Sequence, residues 1–160
     1  MNNVCFFVDE MLFYVAEYLR FMGYSAIYLK GLEDKEIIKM INSSKKNAIL
    51  ITGDRTLASV AKNNAIEVFF IYPQKTYFSL YFKDLVKKYK LKFRNNPRCT
   101  KCDGVLIKKR KEELNEEEIK QAKEVINRYA VFFSCEKCKK IYWKGSHWKS
   151  MIRNIKNLLK

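Results

Sequence analysis

Apolar strand-like runs alternate with amphipathic helical patterns over the first part of the chain. Continuous apolar runs, typical of strands buried on both faces, lie at residues 4–8, 26–29, 48–52 and 66–71. Apolar positions at helical spacing predict helices over residues 11–22, 33–43, 55–63 and 76–89. The alternation predicts an α/β fold in which a parallel sheet is covered by helices on both faces.

The pattern changes near residue 93, where short glycine-containing and lysine-rich segments begin. Two C-x₂-C pairs lie in this part, Cys99 with Cys102 and Cys135 with Cys138. This spacing is typical of a structural zinc site, because four thiolates complete a tetrahedral shell and leave no open position. We therefore predict a first domain over residues 1–93 and a zinc ribbon over residues 94–160.

The 32 residues between the two cysteine pairs exceed the roughly 15–20 of most zinc sites of this kind. Asn115 followed by Glu118 predicts the start of a helix, within an insertion at about residues 108–128. A further helical pattern over residues 147–160 is expected to pack against a partner domain. One zinc shared by both pairs is the main interpretation. A zinc that bridges two chains and a site that is not filled are the alternatives.

The formal charge of +15 is concentrated in the second part of the chain. Lys and Arg minus Asp and Glu give 14 − 9 = +5 over residues 1–93 and 18 − 8 = +10 over residues 94–160. A basic surface attracts polyanions, so nucleic acid is the leading partner class, with anionic lipid or a generally lysine-rich proteome as alternatives. No leader pattern is present, and no apolar run reaches the roughly 18 residues that cross a bilayer. We therefore expect a cytoplasmic protein without a membrane partner.

Three aspartates lie at one predicted edge of the sheet. Asp9 and Asp54 follow strands, and Asp34 opens a helix. Functional groups of parallel sheets gather at the carboxyl ends of the strands. Clustered carboxylates select hard cations such as Mg²⁺ or Mn²⁺, which activate water against a phosphodiester. The competing interpretation is that Asp34 or Asp54 only satisfies backbone amides at a helix start.

Three stretches of the sequence resemble one known family. They are Phe7-Val8-Asp9-Glu10, Ile51-Thr52-Gly53-Asp54-Arg55 and Ile141-Tyr142-Trp143-Lys144-Gly145-Ser146-His147-Trp148. Together with the cysteine pairs they resemble the Mut7-C ribonuclease family, over nearly the whole chain. That family is similar to PIN-domain nucleases and carries a zinc ribbon at the carboxyl end. The resemblance implies a PIN-like fold and a Mg²⁺- or Mn²⁺-dependent endoribonuclease, a hydrolase that leaves a 5′-phosphate and a 3′-hydroxyl.

The resemblance also implies roles for individual residues. The ligands of the catalytic metal would be Asp9, Asp34 and Asp54. Thr52 would orient Asp54 or the attacking water through its hydroxyl. PIN nucleases commonly show a fourth acid further along the chain, which has no clear match here and for which Glu10 or Glu36 could substitute.

Basic and aromatic residues are interleaved around the cysteine pairs, a mixture that suits single-stranded or looped RNA. The candidate RNA contacts are Arg55, Lys108, Lys109, Arg110, Lys144, His147 and Trp148. In the competing interpretation the lysine runs are a solvated face, and the rings of Tyr142 and Trp143 fill the ribbon core. His147 is the single histidine, and we expect it at a helix start or against RNA rather than on the zinc.

Two rival functions stay open. One is a non-catalytic RNA-binding adaptor of the ribosome or the RNA-processing machinery, whose proteins would then be partners besides RNA. The other is a toxin-type PIN nuclease with a protein inhibitor, which the ribbon disfavours because free-standing toxins of that kind generally lack one. A cleavage assay with substituted aspartates separates the adaptor from a nuclease.

Overall fold

The computed structural model describes residues 4–44, 47–72, 77–94 and 96–159, and it contains a four-stranded parallel sheet. The strands are β1 (Val4–Asp9), β2 (Ser25–Leu29), β3 (Asn47–Thr52) and β4 (Glu67–Phe70). Their order across the sheet is β2-β1-β3-β4, and each neighbouring pair is parallel. The predicted α/β class is therefore confirmed.

Helices cover both faces of this sheet. They are α1 (Phe13–Phe21), α2 (Asp34–Ser43), α3 (Arg55–Asn63) and α4 (Phe78–Lys88), with a 3₁₀ turn at Glu10–Leu12 before α1. Alternate strand residues point to opposite faces. Phe6 and Val8 pack with α1 and α4, whereas Cys5 and Phe7 pack with α2 and α3. Burial on both faces explains the continuous apolar runs in the sequence.

The order of the strands reverses between β1 and β3. From β1 the chain crosses to β2 on one side, and from β2 it returns past β1 to β3 on the other. Val8 lies opposite Ile51, so the carboxyl ends of β1 and β3 are neighbours. The crevice at such a reversal is the usual ligand site of an open α/β sheet.

A second, antiparallel sheet surrounds the cysteine pairs. Its strands are β5 (Leu106–Arg110), β6 (Val131–Cys135) and β7 (Ile141–Tyr142), in the order β5-β6-β7. The predicted insertion helix is α5 (Glu116–Ala122), which starts after Asn115 with reciprocal side-chain and backbone bonds between Asn115 and Glu118. The helical insertion begins later than the predicted residue 108, because Lys108 and the two residues after it continue β5 beside β6.

The last helix, α6 (Ser146–Leu158), packs on the first domain, as predicted. Its Trp148 and Ile155 belong to the same hydrophobic core as Phe6 of β1 and Phe82 of α4. The hydrophobic core is thus continuous across the boundary that the sequence predicts near residue 93.

The remaining limits of the elements differ from the predicted ones by a few residues. The helix predicted over residues 76–89 is observed as Phe78–Lys88, and Thr76 lies outside the described residues. None of the helices in the described parts of the chain is long and apolar enough to cross a lipid bilayer.

Candidate active site and metal centre

Asp9 ends β1 at the reversal of the strand order, and it is only 8% exposed. The hydroxyl of Thr52, the last residue of β3, donates a hydrogen bond of 2.5 Å to Oδ2 of Asp9. A buried carboxylate needs such a donor. Burial of a neutral polar group without a hydrogen bond costs about 2–7 kcal/mol, and burial of an unpaired charge costs more. Within the described residues no other donor reaches this carboxylate, so Oδ1 is available to a ligand.

Thr52 also contacts the second aspartate at this edge. Its hydroxyl oxygen accepts the backbone N–H of Asp54 at 3.0 Å. Oδ1 of Asp54 accepts the N–H groups of Thr56 at 2.6 Å and Leu57 at 3.1 Å, which makes Asp54 the N-cap of α3. The helix-capping interpretation is therefore correct for Asp54. Its Oδ2 has no hydrogen-bond partner among the described residues.

Asp34 is the first residue of α2 and is half-buried. The residue at the N-cap is Glu33, whose N–H donates to Oε2 of Glu36 at 2.9 Å. Asp34 itself makes no hydrogen bond or ion pair with the part of the chain that is described. Glu36 is engaged in capping, and Glu10 is engaged too, because its Oε2 accepts the N–H of Gly31 at 3.1 Å.

The three aspartates follow the carboxyl ends of neighbouring strands, but they do not form a closed set of direct ligands. Within residues 4–44, 47–72, 77–94 and 96–159, the single group of three or more candidate ligands with all atoms within 4.8 Å of one another is the cysteine cluster. Octahedral Mg²⁺ with bonds of 2.0–2.1 Å holds its ligand atoms within about 4.2 Å of one another. The three carboxylates are not among the groups of described side chains that lie close enough to hold one ion directly. Mg²⁺ sites often use only one or two carboxylates and retain several waters.

The four cysteines form a compact cluster within one chain. The Sγ atoms of Cys99 and Cys138 are 3.6 Å apart, and those of Cys102 and Cys135 are 3.5 Å apart. Four sulfurs on a tetrahedral zinc ion, each at 2.3 Å, are about 3.8 Å from one another. The cluster therefore fits one structural zinc ion held by a single chain, and the geometry does not need a second chain.

The surroundings of the cluster also suit a metal. Burial opposes the thiolate of Cys99, but hydrogen bonds from the Tyr142 hydroxyl and from backbone N–H groups lower its pKa to about 7. Burial raises the pKa of Cys102 to about 12 and also raises the pKa of Cys138, so these thiols need a bound cation to stay deprotonated at neutral pH. The thiolate is the form that binds metal. A Cβ atom at Gly104 would lie 2.6 Å from Sγ of Cys135, so only glycine leaves room for the cluster.

A family model described as the Mut7-C RNAse domain matches residues 4–155. The chain belongs to the Mut7-C RNAse domain family. The match includes both strand-end aspartates and the four cysteines, and it confirms the resemblance expected from the sequence. No curated protein and no solved structure matches the chain. The family assignment indicates a ribonuclease type of function.

The predicted RNA contacts of this Mut7-C chain fall into two groups. The exposed members are Arg55, Lys108, Arg110, Lys144 and His147. Lys109 instead binds both carboxylate oxygens of the buried Glu118 at 2.8 Å. Trp148 is 8% exposed and stacks on Phe133, with ring centroids 5.3 Å apart. Lys109 and Trp148 thus contribute to the internal packing, and little of the Trp148 ring is left for a base.

A group of exposed tyrosines lies next to the candidate active site of the Mut7-C domain. Tyr72 is 52% exposed and Tyr77 is 45% exposed, and their ring centroids lie 6.5 and 6.3 Å from that of Tyr81. The N–H of Ile71 donates to the Thr52 carbonyl, so these rings follow the strand beside Thr52. Strand periodicity does not reveal this group. The sequence feature that could have done so is the density of aromatic residues after β4.

Proposed function

We propose that the protein is a metal-dependent ribonuclease that hydrolyses RNA phosphodiester bonds at the carboxyl edge between β1 and β3. The observation that carries the proposal is the buried Asp9 carboxylate, held by Thr52 at the reversal of the strand order. A buried carboxylate with one free oxygen at the reversal of the strand order is a suitable metal ligand. Membership of the Mut7-C RNAse domain family supports the same activity.

The residues that would hold a Mg²⁺ or Mn²⁺ ion are Asp9, Asp34 and Asp54. Their carboxylate oxygens are the hard ligands that such an ion prefers. When bound, such an ion would supply positive charge against the phosphate and would lower the pKa of a bound water. The chain's own contribution is to fix Asp9 through the Thr52 hydroxyl and to fix Asp54 through two helix N–H groups.

We further propose that the ribbon binds the RNA strand. A groove of about 500 Å³ is lined by Lys108, Arg128 and Lys144 together with Tyr129 and Phe133. The Lys144 ammonium lies 5.6 Å from the centroid of the Phe133 ring. Cations that neutralise phosphates beside exposed ring surface are typical of single-strand binding. Arg55, exposed next to Asp54, is suited to contact a phosphate at the cleavage site.

The test is cleavage of 5′-labelled single-stranded RNA with Mn²⁺ or Mg²⁺, with and without EDTA. We expect cleavage by the unchanged protein, loss of cleavage with EDTA, and loss with Asp9→Asn. Asp84→Asn is the matched control, because Asp84 is exposed on α4 and has no partner in the described part of the structure. Cleavage by the Asp9→Asn variant at the unchanged rate would rule out the proposed site.

A non-catalytic RNA-binding adaptor is the second candidate function. It is favoured by the capping role of Asp54, and by the finding that the three carboxylates are not a group of described side chains close enough to hold one ion directly. An adaptor would bind the labelled RNA without cutting it under any metal condition. In that case binding would be equal for the unchanged protein and the Asp9→Asn variant.

A further inference from the structure

A cavity of about 360 Å³ lies between α1 and the segment after the second cysteine pair. Its walls include the rings of Phe21, Tyr142 and Trp143. Three polar side chains of different charge also line it, namely Glu17, Lys140 and His147. The cavity shares no lining residue with the basic groove around Phe133, and it does not include the aspartates of the candidate active site.

Glu17 is the residue that the packing of this region does not explain. It is half-buried in α1, and it makes no hydrogen bond or ion pair with any described residue. Burial raises its pKa above the ordinary 4.5, although the charges of Lys140, His147 and Arg20 act in the opposite direction. A carboxylate in this position accepts hydrogen bonds from a ligand at little further desolvation cost, because the protein has already desolvated it in part.

The walls restrict the shape of that ligand. The ring of Trp143 packs directly on the backbone of Gly145. A Cβ atom at Gly145 would lie only 2.8 Å from Nε1 of Trp143, so a larger residue would displace the ring. A volume of about 360 Å³ falls at the lower end of the 300–1,000 Å³ typical of small-ligand sites. A flat aromatic body of the size of one nucleobase suits a cavity bounded by such rings.

The polar groups restrict its chemistry. A phosphate is disfavoured by the Glu17 charge. The Watson–Crick edge of guanine has two neighbouring N–H donors, N1–H and the N2 amine, and one carboxylate can accept a hydrogen bond from each. The acceptor O6 lies beside them on the same edge. Lys140 and His147 supply donors for such an acceptor. Adenine would instead turn the acceptor N1 toward Glu17.

We propose that this cavity binds a single guanine base of the RNA, with Glu17 accepting from its Watson–Crick edge. The inference deepens the proposed function, since it takes RNA as the ligand and adds a base preference. The cavity also gives a role to Gly145, Ser146 and His147, which the candidate active site does not use.

The test is fluorescence anisotropy in buffer without chelator and without added Mg²⁺ or Mn²⁺, so that metal-dependent cutting is suppressed while the zinc of the ribbon stays bound. The probes are labelled oligouridine heptamers with a central guanosine, adenosine or inosine, the last lacking the N2 amine. We expect the guanosine probe to bind about tenfold to a hundredfold more tightly than the adenosine probe, with inosine between them. Glu17→Gln should reduce guanosine binding to the level of adenosine and leave adenosine binding unchanged.

Glu124→Gln is the control, since it removes an exposed negative charge outside the cavity. It should keep the guanosine preference.

Equal binding of guanosine and adenosine probes by the unchanged protein would overturn the inference, and so would a preference that survives Glu17→Gln. If cleavage depends on Asp9 but neither binding nor cleavage differs between the guanosine and adenosine probes, the guanine site is refuted and the proposed ribonuclease function stands. A guanosine preference without cleavage would refute the proposed function and leave the inference standing.

Discussion

Asp103, in the turn of the first cysteine pair, accepts a hydrogen bond of 2.7 Å from the hydroxyl of Ser25 at the start of β2. The same carboxylate accepts from Arg98 at 2.9 Å. The buried Arg20 of α1 donates to the Thr100 carbonyl at 2.7 Å, and its Nε lies 3.9 Å from Asp103. Charged groups with few exposed atoms therefore join the ribbon to the parallel sheet.

Asp103→Asn is expected to lower the free energy of unfolding by about 2–4 kcal/mol, because it removes the negative partner of the buried Arg20. Asparagine tolerates the positive φ of 62° at this position, so the backbone is not strained by the change. Urea denaturation followed by tryptophan fluorescence measures the effect. Asp84→Asn is the control and should change the value by less than about 0.5 kcal/mol. Equal stability of the two variants would contradict the proposed role of Asp103.

The unchanged protein should contain one equivalent of zinc per chain by elemental analysis. Combined Cys99→Ser and Cys135→Ser substitutions should lose the metal and unfold the ribbon, because its small core depends on the ion. Cys5→Ala is the control, since Cys5 lies in the core of the first domain and is not a member of the cluster. A ribbon that stays folded without metal would contradict the zinc assignment.

Thr52→Val keeps the shape of the side chain and removes the hydrogen bond to Asp9. We expect cleavage to slow by about tenfold to a hundredfold, mainly in kcat, as is usual when the partner of a metal ligand is lost. Thr52→Ser retains the hydroxyl and should restore most of the rate. If Thr52→Val and Thr52→Ser cleave equally, Thr52 does not position Asp9 for the reaction.

Glu17→Gln is expected to stabilise the protein at neutral pH. Burial raises the pKa of Glu17 in the folded state, whereas the unfolded chain has the ordinary value of 4.5. Folding therefore disfavours the charged carboxylate of Glu17. The resulting loss of stability is absent below pH 4.5, and it grows as the pH rises through the pKa of Glu17 in the folded state. The gain should be at most about 1 kcal/mol at pH 7.5, since solvent screens a half-buried group. Thermal unfolding at pH 5 and pH 7.5 should show a larger gain at the higher pH, and a constant gain would contradict this account.

The sequence predicts the parallel sheet well because each strand is buried on both faces and each helix has one apolar face. Arg55–Asn63 is predicted as observed, since Asp54 caps it at the expected place. The capping arrangement of Asn115 and Glu118 is likewise visible in the sequence.

The environment of single side chains is harder to predict. Lys109 and Lys108 look equivalent in the sequence, yet strand alternation turns only Lys109 toward Glu118. Trp148 belongs to a string that suggests RNA contact, but its ring packs on Phe133 of β6 and on Phe21, which lies far away in the chain. Such contacts follow from the tertiary arrangement, so local patterns do not contain them.

Trp148 and Ile155 come late in the order of synthesis, after both cysteine pairs, yet they fill the core around β1. The core of the first domain is therefore incomplete until translation has passed α6. A shortened chain that stops before this helix would expose apolar surface of the sheet region and would be a target for proteolysis.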